Sequence, residues 1–116
     1  MYPADKKRNQ KAPDVEIVEA KAHRDRGELM IDGTVKKTGT KPLQGVTLFF
    51  QIFDPSSQLI ATNKGQIEDE LLEPSKESEY HLRMVDQVRG VQIKIVAEDH
   101  SGRDLRVGNG GPYIIE

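Results

Sequence analysis

The sequence has 116 residues, the length of one domain, of which 35% are hydrophobic and 31% charged. It contains no cysteine, which excludes disulfide frameworks, zinc–thiolate sites and thiol catalysis. A formal net charge of −2 argues against a nucleic-acid-binding protein, and no apolar run is long enough to span a membrane.

The chain begins with a basic segment, residues 1–14, that has few apolar residues. Such a composition buries too little apolar surface to offset the entropy of ordering, so we expect a flexible arm. We interpret the arm as a solvated linker left after removal of an upstream segment, with contact to an anionic surface as the alternative. Residues 15–116 are predicted to form one folded domain.

The rest of the chain alternates apolar and polar residues with period two, which is typical of strands that bury one face. Five segments show this pattern, and we expect their apolar sets to face a core: Val15 and Ile17; Leu29, Ile31, Gly33 and Val35; Val46, Leu48, Phe50 and Ile52; Tyr80, Leu82 and Met84; Val91, Ile93, Ile95 and Ala97. No segment has helical periodicity. The nearest helix candidate, Ile67–Leu72, is ended by Pro74.

Turn residues separate these segments at short intervals. The predicted turns are Arg24–Gly27, Thr38–Pro42, Asp54–Ser57, Asn63–Gly65, Glu73–Ser75 and Asp99–Gly102. Many short strands without helices predict an antiparallel, immunoglobulin-like β-sandwich of about seven strands. The Cys and Trp residues of antibody domains are missing, so only the architecture is expected to be shared.

One segment carries a resemblance to a known family. Phe50-Gln51-Ile52-Phe53-Asp54 resembles the Phe-x-Leu-Tyr-Asp motif of the FxLYD domain family. Gly33–Gly39 resembles the family's upstream strand, Lys41–Val46 the start of the motif strand, and Leu72–Pro74 the later Leu-x-Pro. The resemblance covers residues 28–98, and the order and spacing of these short motifs are its evidence.

Two positions depart from the family pattern: Lys37 replaces the usual Asn, and Ser75 replaces the usual Gly. The resemblance implies a structural and interaction module of bacterial envelope or secreted proteins, with no catalytic residues and no cofactor. It therefore implies a protein or envelope component as partner and an extracytoplasmic location. Our leading hypothesis is a non-enzymatic interaction module.

Residue types of a hydrolase triad occur together at Asp99, His100 and Ser101. Consecutive residues cannot converge on one reacting atom, so we predict a turn. His23, His81 and His100 lack metal-ligand spacing, and no metal site is predicted from them. A three-histidine site assembled by folding, and a small hydrolase using His100 or His81, are the alternatives.

An acidic stretch is the sharpest charge feature of the chain: Glu68, Asp69, Glu70, Glu73, Glu77 and Glu79 surround one opposing residue, Lys76. The spacing does not match a calcium-binding loop, so we expect a solvated loop that protects a sheet edge. A domain that binds ions or a small ligand, through a weak calcium site in residues 68–79, is the alternative function. A docking surface for a basic partner is a further alternative.

Two further features have structural explanations. Phe49 and Phe53 lie on the strand face opposite Phe50, and we expect them to contact the core or a second sheet, with ligand stacking as the alternative. The glycine-rich segment Gly108–Pro112 lacks the Lys and Ser or Thr of a phosphate-binding loop. It is predicted to be a flexible hinge before Tyr113–Ile115, which either adds an edge strand or docks elsewhere in a longer protein.

Overall fold

The computed structural model describes residues 12–116, so the predicted arm lies mostly outside the described residues. The last two residues of the predicted arm, Pro13 and Asp14, form hydrogen bonds with the domain. The Thr38 hydroxyl donates to the Pro13 carbonyl at 2.7 Å, and the Arg106 amide donates to the Asp14 carboxylate at 2.8 Å. Pro13 and Asp14 are therefore part of the folded domain.

The described residues contain strands and no helix, which confirms the predicted all-β sandwich; none of their segments is a helix that could cross a membrane. Six strands are long and five have only two residues. In chain order the strands are β1 Val15–Asp25, β2 Glu28–Lys37, β3 Leu43–Gln44, β4 Thr47–Phe53, β5 Leu59–Gln66, β6 Leu71–Leu72, β7 Glu77–Val85, β8 Gln92–Glu98, β9 Asp104–Leu105, β10 Val107–Gly108 and β11 Tyr113–Ile114.

Two sheets face each other. The first sheet has the order β10-β1-β2-β7, and the second has the order β11-β8-β4-β5, with β9 paired to β8. Neighbouring strands are antiparallel except β1 and β10. The predicted first turn is a two-residue hairpin loop in which Arg26 and Gly27 both have positive φ, 53° and 82°. Such a loop matches the twist of the paired strands.

The core lies between the sheets and contains the predicted inner faces of β2, β4 and β8. Its largest side chains, Phe50 and Tyr80, are each 1% exposed, and their ring centroids are 5.7 Å apart. β4 is a central strand, flanked by β8 and β5, as its two apolar faces predict. Phe49 and Phe53 are half-buried on its outer face.

A bulge in β1 shifts the alternation between Ile17 and Glu19. It coincides with a contact between β7 and β1 that passes over β2, the strand between them. The Tyr80 hydroxyl donates to the Glu19 carbonyl at 2.8 Å, and a Cβ on Gly33 would overlap both groups. Gly33 is therefore required where the Tyr80 ring crosses β2, and burial raises the pKa of Tyr80 well above its usual value.

The predicted turn Asn63–Gly65 is wrong, because these residues lie inside β5 and pair with β4. Asn63 is opposite Phe50, and Gly65 is opposite Leu48. The residue types suggest a turn, but the strand register places Asn63 and Gly65 on the inner face of β5. A Cβ on Gly65 would lie 3.8 Å from Phe50 Cε2.

The glycine-rich segment is not the predicted flexible hinge. Val107–Gly108 pairs with β1, and the Gly110 carbonyl accepts a hydrogen bond from the Ile95 amide at 2.7 Å. These contacts fix the backbone against both sheets. The following residues, Tyr113–Ile114, form the expected edge strand beside β8.

The connection after β5 joins the two sheets at their edges. Ile67 forms an isolated bridge with Tyr80 of β7, and the Glu68 amide donates to the Glu79 carbonyl at 2.9 Å. The chain therefore passes directly from the edge of the second sheet to the edge of the first.

Candidate functional site

Four side chains meet on the outer face of the first sheet, and we call them the His81 cluster: Asp32, Glu68, Glu79 and His81. The two-residue period of β7 places Glu79 and His81 on the same face. Asp32 of β2 is directly opposite His81 in the strand register. The backbone hydrogen bond between Glu68 and Glu79 brings in the fourth side chain.

The His81 ring contacts a carboxylate at each nitrogen. Nδ1 lies 2.7 Å from Asp32 Oδ1, and Nε2 lies 3.3 Å from both Glu79 Oε1 and Glu68 Oε2. The hydrogen bond with Asp32, supported by Glu79 and Glu68, raises the pKa of His81. In the part of the chain that the structure describes, the ion pairs of these three carboxylates all involve His81.

The cluster contains one potential metal-binding group. One ligand atom each from Glu68, Glu79 and His81 lie within 4.8 Å of one another, and all three residues are exposed. Of the acidic stretch, only Glu68 and Glu79 belong to this group, whereas Glu77 lies opposite Lys36. Among the described residues, the other four acidic residues of the stretch belong to no such group.

The three histidines do not form a shared ligand group in residues 12–116. His23 and His81 both line a shallow depression of about 530 Å³ on the outer face of the first sheet, beside Met30 and Asp32. His100 lies in the connection after β8, where its amide donates to the Gln44 carbonyl.

Asp99, His100 and Ser101 form a turn rather than a line of nucleophile, base and acid. The Ser101 hydroxyl and amide donate to Asp99 Oδ1 at 2.7 and 2.9 Å, and the Arg103 amide donates to the same atom at 3.1 Å. These hydrogen bonds, the Ser101 hydroxyl first, hold the pKa of Asp99 well below its usual range. The Ser101 hydroxyl donates its hydrogen bond directly to the Asp99 carboxylate. The three residues therefore do not form the arrangement of hydroxyl, imidazole and carboxylate that nucleophilic catalysis requires.

Exposed apolar side chains concentrate at one end of the sandwich. Among the described residues, five of the seven large exposed apolar residues lie at the end of the sandwich formed by the start of β5, the end of β7, the β7–β8 connection and β11. We call this set the apolar end: Leu59 (51% exposed), Ile60 (37%), Val85 (75%), Val88 (83%) and Ile114 (70%). The sequence contains these residues but does not show that folding brings them to one end.

The β7–β8 connection is held in place by Arg24, which the sequence predicts only as the start of a hairpin turn. Its Nε donates to both carboxylate oxygens of Asp86, at 2.8 and 3.0 Å. Its Nη2 donates to the carbonyls of Gln87, at 3.2 Å, and Gly90. This guanidinium fixes the backbone on both sides of Val88, so the exposed valine is presented on an ordered loop.

The β4–β5 connection is ordered by Asp54, as the sequence predicts. Its Oδ1 accepts hydrogen bonds from the amides of Ser56 and Gln58, both at 2.9 Å. The Arg89 guanidinium from the neighbouring connection lies 3.7 Å from Asp54 Oδ2. Both connections at the apolar end are therefore braced by charged side chains.

A scan against protein-family models and a search of curated proteins found no match for this sequence. Solved structures do share its fold. IrmA from Escherichia coli is 12% identical with a TM-score of 0.55, and the match covers 92% of this chain and 99% of IrmA. A DUF1425 family member from Shewanella sp. pv-4 is 13% identical with a TM-score of 0.51, and the match covers 74% and 78% of the two chains.

A β-glucuronidase from Bacteroides uniformis is also similar, with 14% identity and a TM-score of 0.52. The match covers 78% of this chain but only 11% of the enzyme, so the chain corresponds to about a tenth of that protein. At such identities these similarities show the β-sandwich fold alone.

Proposed function

We propose that this domain is a non-enzymatic, FxLYD-like β-sandwich module that binds a protein or an envelope component through its apolar end. The concentration of Leu59, Ile60, Val85, Val88 and Ile114 at one end carries the proposal. Large exposed apolar groups that lie together are typical of interaction surfaces, whereas isolated ones are ordinary.

The order of the connecting loops supports the same function. Arg24 fixes the loop that carries Val88, and Asp54 fixes the loop that precedes Leu59. A binding surface that is already ordered loses less conformational entropy when its partner docks. Loops at the end of a sandwich are also where this architecture commonly places binding residues.

A non-enzymatic role accords with the geometry of the Asp99 turn. The Ser101 hydroxyl donates directly to the Asp99 carboxylate, and no imidazole lies between the two groups to act as a base. We also propose an extracytoplasmic location, on the basis of the FxLYD resemblance of Phe50–Asp54.

The test is site-specific photo-cross-linking. A photoreactive amino acid is placed at Val88 and, as a control, at Val18, which is 50% exposed but lies in the β1 bulge outside the apolar end. Each protein is incubated at micromolar concentration with envelope and soluble fractions of the source cells. We expect a discrete cross-linked species from Val88 in the envelope fraction and none from Val18.

A matched pair of variants gives the second measurement. Val88→Asp is expected to reduce recovery of that species at least tenfold, whereas Val18→Asp leaves recovery unchanged, and both should keep the wild-type unfolding midpoint because both side chains are exposed. Cross-linking that is equal at Val88 and Val18, or absent at Val88, would overturn the proposal.

A further inference from the structure

We propose that the His81 cluster binds one divalent transition-metal ion, with Nε2 of His81 and one carboxylate oxygen each from Glu68 and Glu79 as its ligands. This inference does not depend on the interaction function, because it concerns the outer face of the first sheet rather than the apolar end.

The spacing of the ligand atoms supports the proposal. Zinc bonds to nitrogen and oxygen at about 2.0–2.1 Å, so neighbouring ligand atoms in a tetrahedral site are about 3.3 Å apart. His81 Nε2 is 3.3 Å from Glu68 Oε2 and 3.3 Å from Glu79 Oε1. The carboxylate oxygens of Glu68 and Glu79 lie within 4.8 Å of each other, and both side chains are exposed and can rotate closer together.

The orientation of the ring supports it independently. Asp32 Oδ1 lies 2.7 Å from His81 Nδ1, so Nδ1–H donates to this carboxylate and Nε2 is the ring nitrogen that faces the two glutamates. A carboxylate bonded to the far nitrogen is the arrangement that orients metal-binding histidines and increases their basicity. Asp32 would therefore position the ring without touching the ion.

The local charge favours a cation between these groups. Three carboxylates share one imidazole, and in residues 12–116 none of them has an ion pair with a lysine or arginine. Without a metal ion, a proton on Nε2 supplies the positive charge that the two glutamate oxygens face. A divalent cation that displaces this proton would place a larger positive charge between the same ligand atoms.

The ligand set also selects the type of metal. Calcium takes six to eight oxygen ligands, whereas this group offers one imidazole nitrogen and two carboxylates. Imidazole nitrogen is a good ligand for zinc, copper and nickel. With three protein ligands, a tetrahedral ion would keep one open position.

The test is calorimetric titration of the metal-free full chain with zinc, combined with NMR detection of the histidine ring nitrogens. We expect one zinc ion per chain and a selective shift of the His81 Nε2 signal. His81→Gln should abolish this binding, and Asp32→Asn should weaken it about 10- to 100-fold, because the ligands remain and only the ring orientation is lost.

His23→Gln is the matched control, since His23 is an exposed histidine on the same sheet face. It should leave zinc affinity unchanged, as should Val88→Asp, which separates this test from that of the interaction function. The proposal is overturned if no zinc binds at millimolar concentration, if His81→Gln binds as tightly as the unmodified chain, or if calcium competes as well as zinc.

Discussion

Two adjacent phenylalanines of β4 show how differently the inner and outer faces of this sandwich are used. Phe50 points inward, is 1% exposed and packs beside Tyr80. Phe49 points outward, where it is half-buried between Val96 of β8 and Lys64 of β5. The strand alternation is the same for both residues, but only one has the opposing sheet above it.

This difference extends to the whole domain. Inner residues hold the two sheets together, whereas the outer surfaces carry the apolar end and the His81 cluster. Substitutions on the inner side should therefore change the free energy of unfolding, and substitutions on the outer side should mainly change binding. The following predictions test this separation, from the largest expected effect to the smallest.

The largest effect is expected from Phe50→Ala, because removing a buried aromatic ring leaves a cavity. It should lower the free energy of unfolding by about 3–5 kcal/mol. Phe49→Ala, the matched outer change, should lower it by about 1 kcal/mol, since less apolar area is lost. Urea unfolding measures both values, and a loss below about 1 kcal/mol for Phe50→Ala would mean that the faces of β4 are inverted.

Gly33→Ala should destabilise the domain by about 3 kcal/mol, because its Cβ would overlap the Glu19 carbonyl and the Tyr80 hydroxyl. The control is Gly65→Ala, whose Cβ would lie 3.4 Å from Leu82 Cδ1, an ordinary contact. It should change the free energy of unfolding by about 0.5 kcal/mol or less. Thermal unfolding of both variants would contradict this explanation if their midpoints fell equally.

Arg24→Ala should lower the free energy of unfolding by about 2 kcal/mol, because Asp86 and two carbonyls lose their charged donor. Hydrogen exchange at the Gly90 amide, which donates to the Gln87 carbonyl, should become faster as the loop loosens. Arg83→Ala is the control, because Arg83 is exposed and its ion pair is weak: Nε lies 4.0 Å from Glu28 Oε1. Similar exchange rates in the two variants would argue against the role assigned to Arg24.

The smallest effect concerns pH. The hydrogen bonds from Ser101 and Arg103 lower the pKa of Asp99 in the folded state. A carboxyl with a lowered pKa stabilises the fold above its unfolded pKa, about 4, and this contribution disappears as the pH falls toward the folded value. Wild type should therefore be more stable than Asp99→Asn near neutral pH, with a difference that shrinks below about pH 4.

Urea unfolding of both proteins across this pH range measures the difference. Ser101→Ala removes the hydroxyl hydrogen bond and should reduce the pH-dependent part of wild-type stability without eliminating it. A stability difference between wild type and Asp99→Asn that is constant with pH would show that the charge of Asp99 is not involved.

Period-two alternation in the sequence was sufficient to identify the inner faces of the long core strands. It assigned Ile31, Phe50 and Ile95 to the core because burial on a sheet repeats every second residue. It missed β5, where Asn63 and Gly65 occupy inner positions opposite Phe50 and Leu48. Residue types that favour turns were overridden there by tertiary packing.

The two surfaces proposed to bind ligands were harder to predict from the sequence. The acidic stretch was visible, but its convergence with His81 and Asp32 depends on strand register between residues 49 positions apart. The alternation that places Ala22 inward also places Arg24 inward, so a signal for this arginine existed. Val88 lies in a connection with no periodicity, and its position follows only from the fold.

The Ile67–Tyr80 bridge has a consequence for self-association. β5 and β7 are edge strands, and an exposed edge is a template for pairing with a second copy, the first step of strand-mediated aggregation. The bridge occupies part of the β7 edge with the protein's own backbone, and the charged side chains of Glu68 and Glu79 flank it. The domain can thus present apolar side chains at one end, while the bridge protects the β7 edge from the repeated intermolecular strand pairing that forms fibres.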